Sequence, residues 1–401
     1  MKSKLSLLLL CLYPVASAIP EPDPVMPADL IVSQVLAYSL RLKSAEREVE
    51  AAGAVLAQAG AQGLPTVSAA ARAAHYEGLK ETVLGPTMVF PEIPDRYSAS
   101  IGISQPLYTG GRVASQKRSA AFTRDAARQT LAGTESDVVL EALAAYWAWS
   151  KAFYSVQALQ ASVQRTEAHA LDMKNMYEAG LATDNDTLAT DVLLDQTRLR
   201  LGEAERGVAL ARARIVFLTG ADLPPEAIPD QAPGPDVGEF PPESELMEIA
   251  ATNRPELLAA SLDTRAAGQV VRATRAGRRP SLFLAAQYEQ ARPNNLIFPP
   301  EDNWQYDAFA GVVLTWDIFD SGLTRGKTAE ARARAAQASL RQQQVEDQIA
   351  LEVREARIGL VNTSQQVGVA ERARESAARN LQAATDLWQN GLARHADVLD
   401  A

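Results

Sequence analysis

The sequence predicts an α + β membrane protein with two structural repeats, in which long coiled-coil helices accompany four β-strands in each subunit. Residues 104–111 and 176–188 recur as 315–322 and 387–399, and both segments recur at the same offset along the chain. Residues 111–179 and 322–390 contain no proline. At about 1.5 Å per residue, each of these stretches would form a helix on the order of 100 Å long. Since both segments keep one offset, we interpret the pattern as a duplication.

The amino terminus has the pattern of a secretory signal. Residues 1–18 contain two early lysines, an apolar run and a small-residue site that ends at Ala18. Cys11 is the only cysteine, and Leu10 precedes it, where a lipoprotein signal would have a small residue. We therefore expect cleavage after Ala18, no lipid anchor and a mature chain without a thiol.

Composition excludes several classes of function. The formal net charge is −10, and such an acidic chain is a poor nucleic-acid binder because binding depends on neutralising phosphates. Residues 321–328 resemble a phosphate-binding loop, but Ser321 stands where that loop needs its first glycine. We expect no enzymatic activity, no cofactor and no metal site.

The organisation that we predict has four parts. After the signal, residues 19–219 form a first repeat of helix, β-hairpin, long helix and helix, and its first helix is expected over 28–62. Residues 220–242 form a linker with seven prolines, in which we expect neither helix nor strand. Residues 243–401 form the second repeat.

The predicted strands have one apolar face each. Apolar and small or polar residues alternate through them with a period of two. Four strands cannot close a barrel, and an open sheet edge in lipid is costly, so we expect oligomers that pair their strands. The side chains predicted to face lipid are Ile101, Ile103, Leu282, Leu284, Val312 and Leu314.

The first long helix carries two neighbouring apolar stripes. One runs from Val139 to Phe153 with the 4-3-4-3 spacing of a coiled coil, and the other runs from Val138 to Ala152. An isolated antiparallel coiled coil would explain one stripe. Two stripes favour a helix packed between neighbours on both sides, as in a closed ring of helices.

These motifs together resemble the TolC-type outer-membrane efflux proteins, also called outer membrane factors. The shared pattern is a strand ending in Tyr-Thr-Gly-Gly (108–111) or Phe-Asp-Ser-Gly (319–322), a long helix, and then Gly-Leu-Ala with an aspartate six residues after the glycine. Residues 217–220, 254–257 and 397–401 resemble further landmarks of that family. The resemblance covers essentially the whole mature chain.

The resemblance implies a homotrimer with a twelve-stranded transmembrane β-barrel in the outer membrane of a Gram-negative bacterium and a helical tunnel through the periplasm. It implies a passive export channel of a tripartite efflux or type I secretion system. The partners would be a periplasmic adaptor (membrane fusion) protein and an inner-membrane transporter of the RND, ABC or MFS class. The alternative is a periplasmic helical-hairpin adaptor or a structural coiled-coil protein, which would not need four lipid-facing strands.

The resemblance also implies a constriction at the turns remote from the strands. Asp397 and Asp400 are three residues apart, so on a helix they share a face, and three subunits would place six carboxylates around one entrance. For Asp397 a helix N-cap is the alternative, with Asp186 at the same place in the first repeat. An iris latch would involve Asp186, Trp388 and Arg394, although Trp388 offers only an N–H donor.

The repeats differ in length. Ala401 aligns with Thr190, and the first repeat continues as a helix from there to Gly220. We therefore expect that the second repeat lacks its last helix, about 30 residues or roughly 45 Å, and that these residues are a fragment of a longer product or a defective chain.

Overall fold

The computed structural model describes residues 25–84, 88–90, 92–230, 241–298, 300–393, 397–398 and 401. The predicted signal, Arg394 and Asp400 lie outside the described residues, as do ten residues of the predicted linker.

Long helices dominate the described part of the chain. None of them has a stretch apolar and long enough to cross a membrane. A 3-10 turn, Ala276–Arg278, follows the sixth helix. The helices are α1 (Ala28–Tyr38), α2 (Leu40–Ala61), α3 (Arg112–Glu178), α4 (Asp184–Thr219), α5 (Glu243–Asn253), α6 (Pro255–Arg275) and α7 (Leu323–Gln389).

The described strands are β1 (Val25–Met26), β2 (Thr66–His75), β3 (Thr82–Leu84), β4 (Met88–Phe90), β5 (Asp95–Tyr108), β6 (Ile228–Pro229), β7 (Ser281–Arg292) and β8 (Gln305–Thr315). Four of them form one antiparallel sheet in the order β2-β5-β7-β8. Each repeat contributes the predicted hairpin, and the pairing of β5 with β7 joins the two. The short strands β3 and β4 pair within the loop between β2 and β5.

The two long helices confirm the repeat. Helices α3 and α7 each have 67 residues, and their first residues are separated by the same offset as the repeated motifs. Their length of about 100 Å follows from the helical rise. Helices α1 and α5 also match, with 11 residues each, at a slightly larger offset than that of the long helices.

The expectation of one helix over 28–62 is wrong, because the chain breaks at Ser39. There φ is −47° and ψ is 115°, outside the helical region. Arg254, at the corresponding position of the second repeat, is extended, since a residue before proline disfavours the helical conformation and Pro255 follows. No proline marks the break at Ser39, so composition did not reveal it.

The chain divides into two compact units: Met1–Leu40 with Glu135–Pro233, and Arg41–Thr134 with Gly234–Ala401. The first unit has its core where α1, α4 and the middle of α3 meet. Trp149 and Ile215 are fully buried there, and Ile31 and Tyr146 are 1% exposed. The second predicted stripe of α3 is buried apart from Ala152 at its end, which is half-buried. Two members of the first stripe, Tyr146 and Ser150, are buried beside it.

A tyrosine joins both ends of the first unit. The Tyr146 hydroxyl donates to the Met26 carbonyl oxygen at 3.1 Å and accepts from the Asp230 N–H at 2.9 Å. Burial raises the pKa of Tyr146. Met26 lies in β1, which pairs in parallel with β6. The expectation that 220–242 holds no strand is therefore wrong for Ile228–Pro229, the residues of β6. These residues form a strand because β1 supplies the backbone partner that the linker lacks on its own.

The second unit contains the sheet with α2, α5, α6, α7 and the first part of α3. The Ser119 hydroxyl of α3 donates to the Ala266 carbonyl oxygen of α6 at 3.0 Å. One turn on, the Arg265 guanidinium lies 4.3 Å from the centre of the Phe122 ring. These contacts hold α3 beside α6, below the strands β5 and β7 to which they connect.

Substituting alanine for Gly220 is expected to lower the free energy of unfolding by at least about 2 kcal/mol. Gly220 caps α4 with φ of 65°, a left-handed conformation in which a side chain is strained. A Cβ atom there would also lie 2.4 Å from the Tyr38 ring. Thermal unfolding of the detergent-purified protein, followed by circular dichroism, measures the change. Gly207→Ala is the control, since Gly207 lies in the same helix with open space around it and should be neutral or stabilising. Equal stability of the two variants would contradict the assignment of the cap.

Candidate functional site

The six strand residues that we predicted to face lipid lie on one face of the same sheet. The register pairs Ile101 with Tyr288 and Ile103 with Ala286, and it pairs Leu284 with Val312 and Leu282 with Leu314. Residues paired across antiparallel strands project on the same side. In the single chain these side chains are half-buried or exposed, up to 64% for Leu314. That they face lipid stays a prediction.

The other face of the sheet is more polar. Ser100 pairs with Glu289, Glu289 with Asp307, and Gly102 with Ser68. The sheet thus separates an apolar side from a side that suits water, as a membrane strand with a lipid face and a lumen face requires.

The first of the two Gly-Leu-Ala turns joins α3 to α4. Gly180 has φ of 74°. Its N–H donates to the Tyr177 carbonyl oxygen at 2.9 Å, and the Leu181 N–H donates to that of Met176 at 2.8 Å. This is the Schellman arrangement, which ends a helix with a left-handed glycine.

The second turn, after α7, has the same geometry at the corresponding place in the second repeat. Gly391 has φ of 71°. Its N–H donates to the Trp388 carbonyl oxygen at 2.9 Å, and the Leu392 N–H donates to that of Leu387 at 2.9 Å. The two turns have the same pair of backbone hydrogen bonds, which explains why Gly-Leu-Ala recurs in the sequence.

Asp186 has a local role. Thr183 is the N-cap of α4, and its hydroxyl accepts from the Asp186 N–H at 3.3 Å, while the Asp186 carboxylate accepts from the Thr183 N–H at 3.0 Å. This reciprocal capping box satisfies two backbone donors. The alternative interpretation, in which an aspartate at this place is itself the N-cap, does not hold for Asp186, because Thr183 is the N-cap and Asp186 is the third residue of the helix.

Asp397 and Trp388, the described residues of the predicted entrance that follow α6, belong to the second unit. Asp397 and Trp388 are half-buried, and Asp397 lies in a short helical segment. Asp186 belongs to the first unit. The constriction of Asp397 and Asp400, and the latch of Asp186, Trp388 and Arg394, stay predictions.

The junction between strands and long helices repeats as well. Gly111 and Gly322 have φ of 90° and 89°, and Ser321 has φ of 51° where the first repeat has Gly110. The Asp320 carboxylate accepts from the Thr324 N–H at 2.8 Å and from the Gly322 N–H at 3.1 Å. Hydrogen bonds from Thr324 hold the pKa of Asp320 below its ordinary value.

Sequence reasoning missed Asp320 as a helix cap. The signal was available, because Thr109 occupies the same place in the first repeat and its hydroxyl accepts from the Val113 N–H at 3.3 Å. Short oxygen-bearing side chains before a helix are typical caps.

A groove of about 590 Å³ lies beneath the sheet within the second unit. Side chains of α2, α3 and α6 and the start of α7 line it, among them Gln58, Gln116, Thr123, Thr274 and Lys327. Its walls are largely amide, hydroxyl and small apolar groups. Among the described residues, no three histidine, cysteine or acidic side chains lie close enough to hold a metal ion.

Comparison with known proteins identifies the family. The outer membrane efflux protein family matches residues 31–221 and 246–401, most of the chain. The chain belongs to this family. It is homologous to the outer-membrane channels of tripartite efflux systems, which form trimers and operate with adaptors and inner-membrane transporters. These channels lie in the outer membrane and extend into the periplasm, and membership places this chain with them. The search of curated protein sequences finds no match.

Solved structures agree with the fold. CusC, a protein described as forming a transmembrane channel, matches with a TM-score of 0.77 and 18% identity over 93% of this chain and 84% of its own. The outer membrane protein VceC of Vibrio cholerae has a TM-score of 0.73 and 18% identity over 93% and 88%. The Campylobacter jejuni CmeC outer membrane channel has a TM-score of 0.74 and 16% identity over 93% and 79%. The predicted fold class is confirmed.

Proposed function

We propose that three copies of this chain close their sheets into one ring of twelve strands and export substrate passively, without catalysis. The observation that carries the proposal is a four-stranded sheet with one apolar face whose outer strands, β2 and β8, each pair on one side only within the described chain. Unpaired backbone groups cost several kcal/mol each in lipid, so a second copy must cover these edges.

The strand directions permit this closure. The sheet is antiparallel throughout, so with four strands β2 and β8 run in opposite directions. Strand β8 of one copy can therefore pair antiparallel with β2 of the next, and the alternation continues around the ring. Membrane rings of this type have an even number of strands, and twelve lies within their range.

Helix α7 supports the same assembly. Apolar side chains along its length stay exposed in the single chain, at 61% for Leu340, 53% for Ile358 and 57% for Val369. Apolar side chains spaced along one helix favour burial against a neighbouring helix. A second copy would bury them and extend the wall of helices around the axis.

At the end remote from the sheet, we propose that Asp397 and Asp400 form an acidic constriction, and that Asp186, Trp388 and Arg394 contribute to an iris latch. A periplasmic adaptor and an inner-membrane transporter of the RND, ABC or MFS class would deliver substrate there. The alternative of a periplasmic helical-hairpin adaptor is disfavoured by the sheet, since a coiled-coil adaptor has no need of an apolar sheet face.

Planar-bilayer recording of the purified full chain tests the proposal. We expect stable cation-preferring channels, because acidic rings at a pore mouth attract cations. Asp397→Ala with Asp400→Ala should reduce both the cation preference and the block by multivalent cations. The control is Asp184→Ala with Asp195→Ala, exposed aspartates at the start of α4 and along it. Unchanged selectivity in the first variant would remove its aspartates from the pore, and no conductance from the parent would refute the channel.

A further inference from the structure

Positive charge is concentrated where the helices meet the sheet. Strands β2 and β7 start, and strands β5 and β8 end, on one side of the sheet, which we call its helix end. The ends of α2, α3, α6 and α7 that adjoin these strands therefore lie at the helix end. The flanking segments 109–123, 264–280 and 317–334 contain twelve basic residues and three acidic ones, in a chain whose formal net charge is −10. The carboxyl-terminal half of α2, residues 51–61, carries no charge.

Within the described part of the chain, most of these cations form no ion pair. Among the described residues, Arg334 is the one cation of these segments in an ion pair, at 2.7 Å from Glu330. The exposed side chains Lys117, Arg118, Arg272 and Arg275 form no ion pair with any described residue. We call these four residues the basic belt. Positive charges on the neighbouring helices α3 and α6 repel one another, so binding of an anion beside them would be favourable.

The basic belt does not belong to the groove. Val270, Ala273, Thr274 and Gly277 of α6 line the groove. At 100° per residue, Arg272 and Arg275 lie on the opposite side of the helix. The two belt residues of α6 therefore face away from the cavity, and Lys117 and Arg118 of α3 are not among the residues that line it.

The helix end of the sheet also exposes large apolar and aromatic side chains. Ile318 is 82% exposed and Phe319 85%, and both lie between β8 and α7. Tyr108 and Trp316, at the ends of β5 and β8, are about half-exposed. Aromatic girdles mark the level at which a membrane strand leaves the hydrocarbon. Here apolar strands are followed by aromatic side chains at the strand ends and then by basic side chains on the helices, which is the order found across a membrane interface.

We propose that the basic belt binds the phosphate groups of anionic phospholipids in the periplasmic leaflet of the outer membrane. The inference rests on the proposed membrane position of the sheet. Arginine and lysine beside a lipid surface attract anionic headgroups, and the attraction falls off within a Debye length, so it acts on the leaflet that the belt adjoins. The belt would set the depth of the trimer in the membrane.

The test counts lipids bound to the full chain. Protein in an uncharged detergent is mixed with equal amounts of phosphatidylglycerol and phosphatidylcholine of identical acyl chains, and native mass spectrometry counts the lipids retained. The parent should retain phosphatidylglycerol preferentially by about tenfold. The variant Lys117→Gln, Arg118→Gln, Arg272→Gln, Arg275→Gln should lose most of that preference, and each half of it, on α3 or on α6, should show a partial loss.

The matched control removes four exposed cations elsewhere: Lys151→Gln, Lys174→Gln, Arg372→Gln and Arg374→Gln. Each of these residues lies at least about 55 Å along its own helix from the first residue of α3 or α7. This variant should keep the preference. An equal loss in the control, or an undiminished preference in the belt variants, would overturn the proposal. So would release of phosphatidylglycerol by inorganic phosphate at the same phosphate concentration, because that would indicate a site for free anions.

Fractionation of cells separates this proposal from the proposed function. If the parent is a trimer in the outer membrane but shows no preference for phosphatidylglycerol, the lipid proposal alone fails. If the parent is absent from the outer-membrane fraction, the proposed function fails with it.

Discussion

Ile103→Arg is expected to prevent assembly of the channel in the outer membrane. Ile103 lies in the middle of β5, paired with Val67 on one side and Ala286 on the other, on the apolar face of the sheet. An arginine on the lipid face near mid-membrane costs about 2–4 kcal/mol. Each of three subunits would bear that cost, which is a large fraction of the stability of a typical protein.

The measurement is the amount of heat-modifiable trimer in outer-membrane fractions. Ser100→Arg is the matched control, since Ser100 lies on the same strand but projects to the other face, where Glu289 is its register partner. That arginine meets a carboxylate and water, so the trimer should form. Normal assembly of the Ile103 variant would show that this face of the sheet does not contact lipid.

Trp149→Ala is expected to destabilise the first unit by about 3–5 kcal/mol, the usual cost of removing a large aromatic side chain from a core. Trp149 has no exposed surface, and its ring contacts Tyr146 edge-to-face at 6.0 Å between centroids. Its truncation would leave a cavity where α1, α3 and α4 meet. Helices α1 and α4 pack against Trp149, so we expect a protease to cleave both helices faster in this variant than in the parent.

Two further variants check the cause. Trp147 lies two residues earlier in α3 and is 43% exposed, so Trp147→Ala should cost less than about 1 kcal/mol. The Trp149 indole nitrogen finds no hydrogen-bond partner among the described residues. Trp149→Phe leaves no buried donor unsatisfied, so it should cost clearly less than Trp149→Ala. Similar losses from the two alanine variants, measured by denaturant unfolding, would show that burial of Trp149 does not stabilise the unit.

Periodic segments were predictable because their signal is local and repeated. Helices α3 and α7 follow from proline-free sequence between glycine turns, and β5, β7 and β8 from alternation with a period of two. The glycines at 180 and 391 have the left-handed conformation that their position after each helix indicates. Family membership followed from the same features, since the motifs lie at those boundaries.

Caps and breaks were less predictable, because they depend on single side chains in particular conformations. Asp186 has the same sequence neighbours whether it is the N-cap or the third residue of a capping box, and only the position of the Thr183 hydroxyl distinguishes them. The break at Ser39 has no proline beside it. Comparison with Arg254, its counterpart in the second repeat, would have located it.

The duplication, the length of the two long helices, the four strands with their apolar face and the family were all predictable from the amino-acid sequence. Each of these is encoded in spacing along the chain, which local backbone geometry converts directly into structure. The pairing of β5 with β7, the pairing of β1 with β6 and the burial of Trp149 and Tyr146 in one core were not predictable from the sequence. These depend on contacts between segments far apart in sequence, where several pairings satisfy the same local pattern and packing selects one.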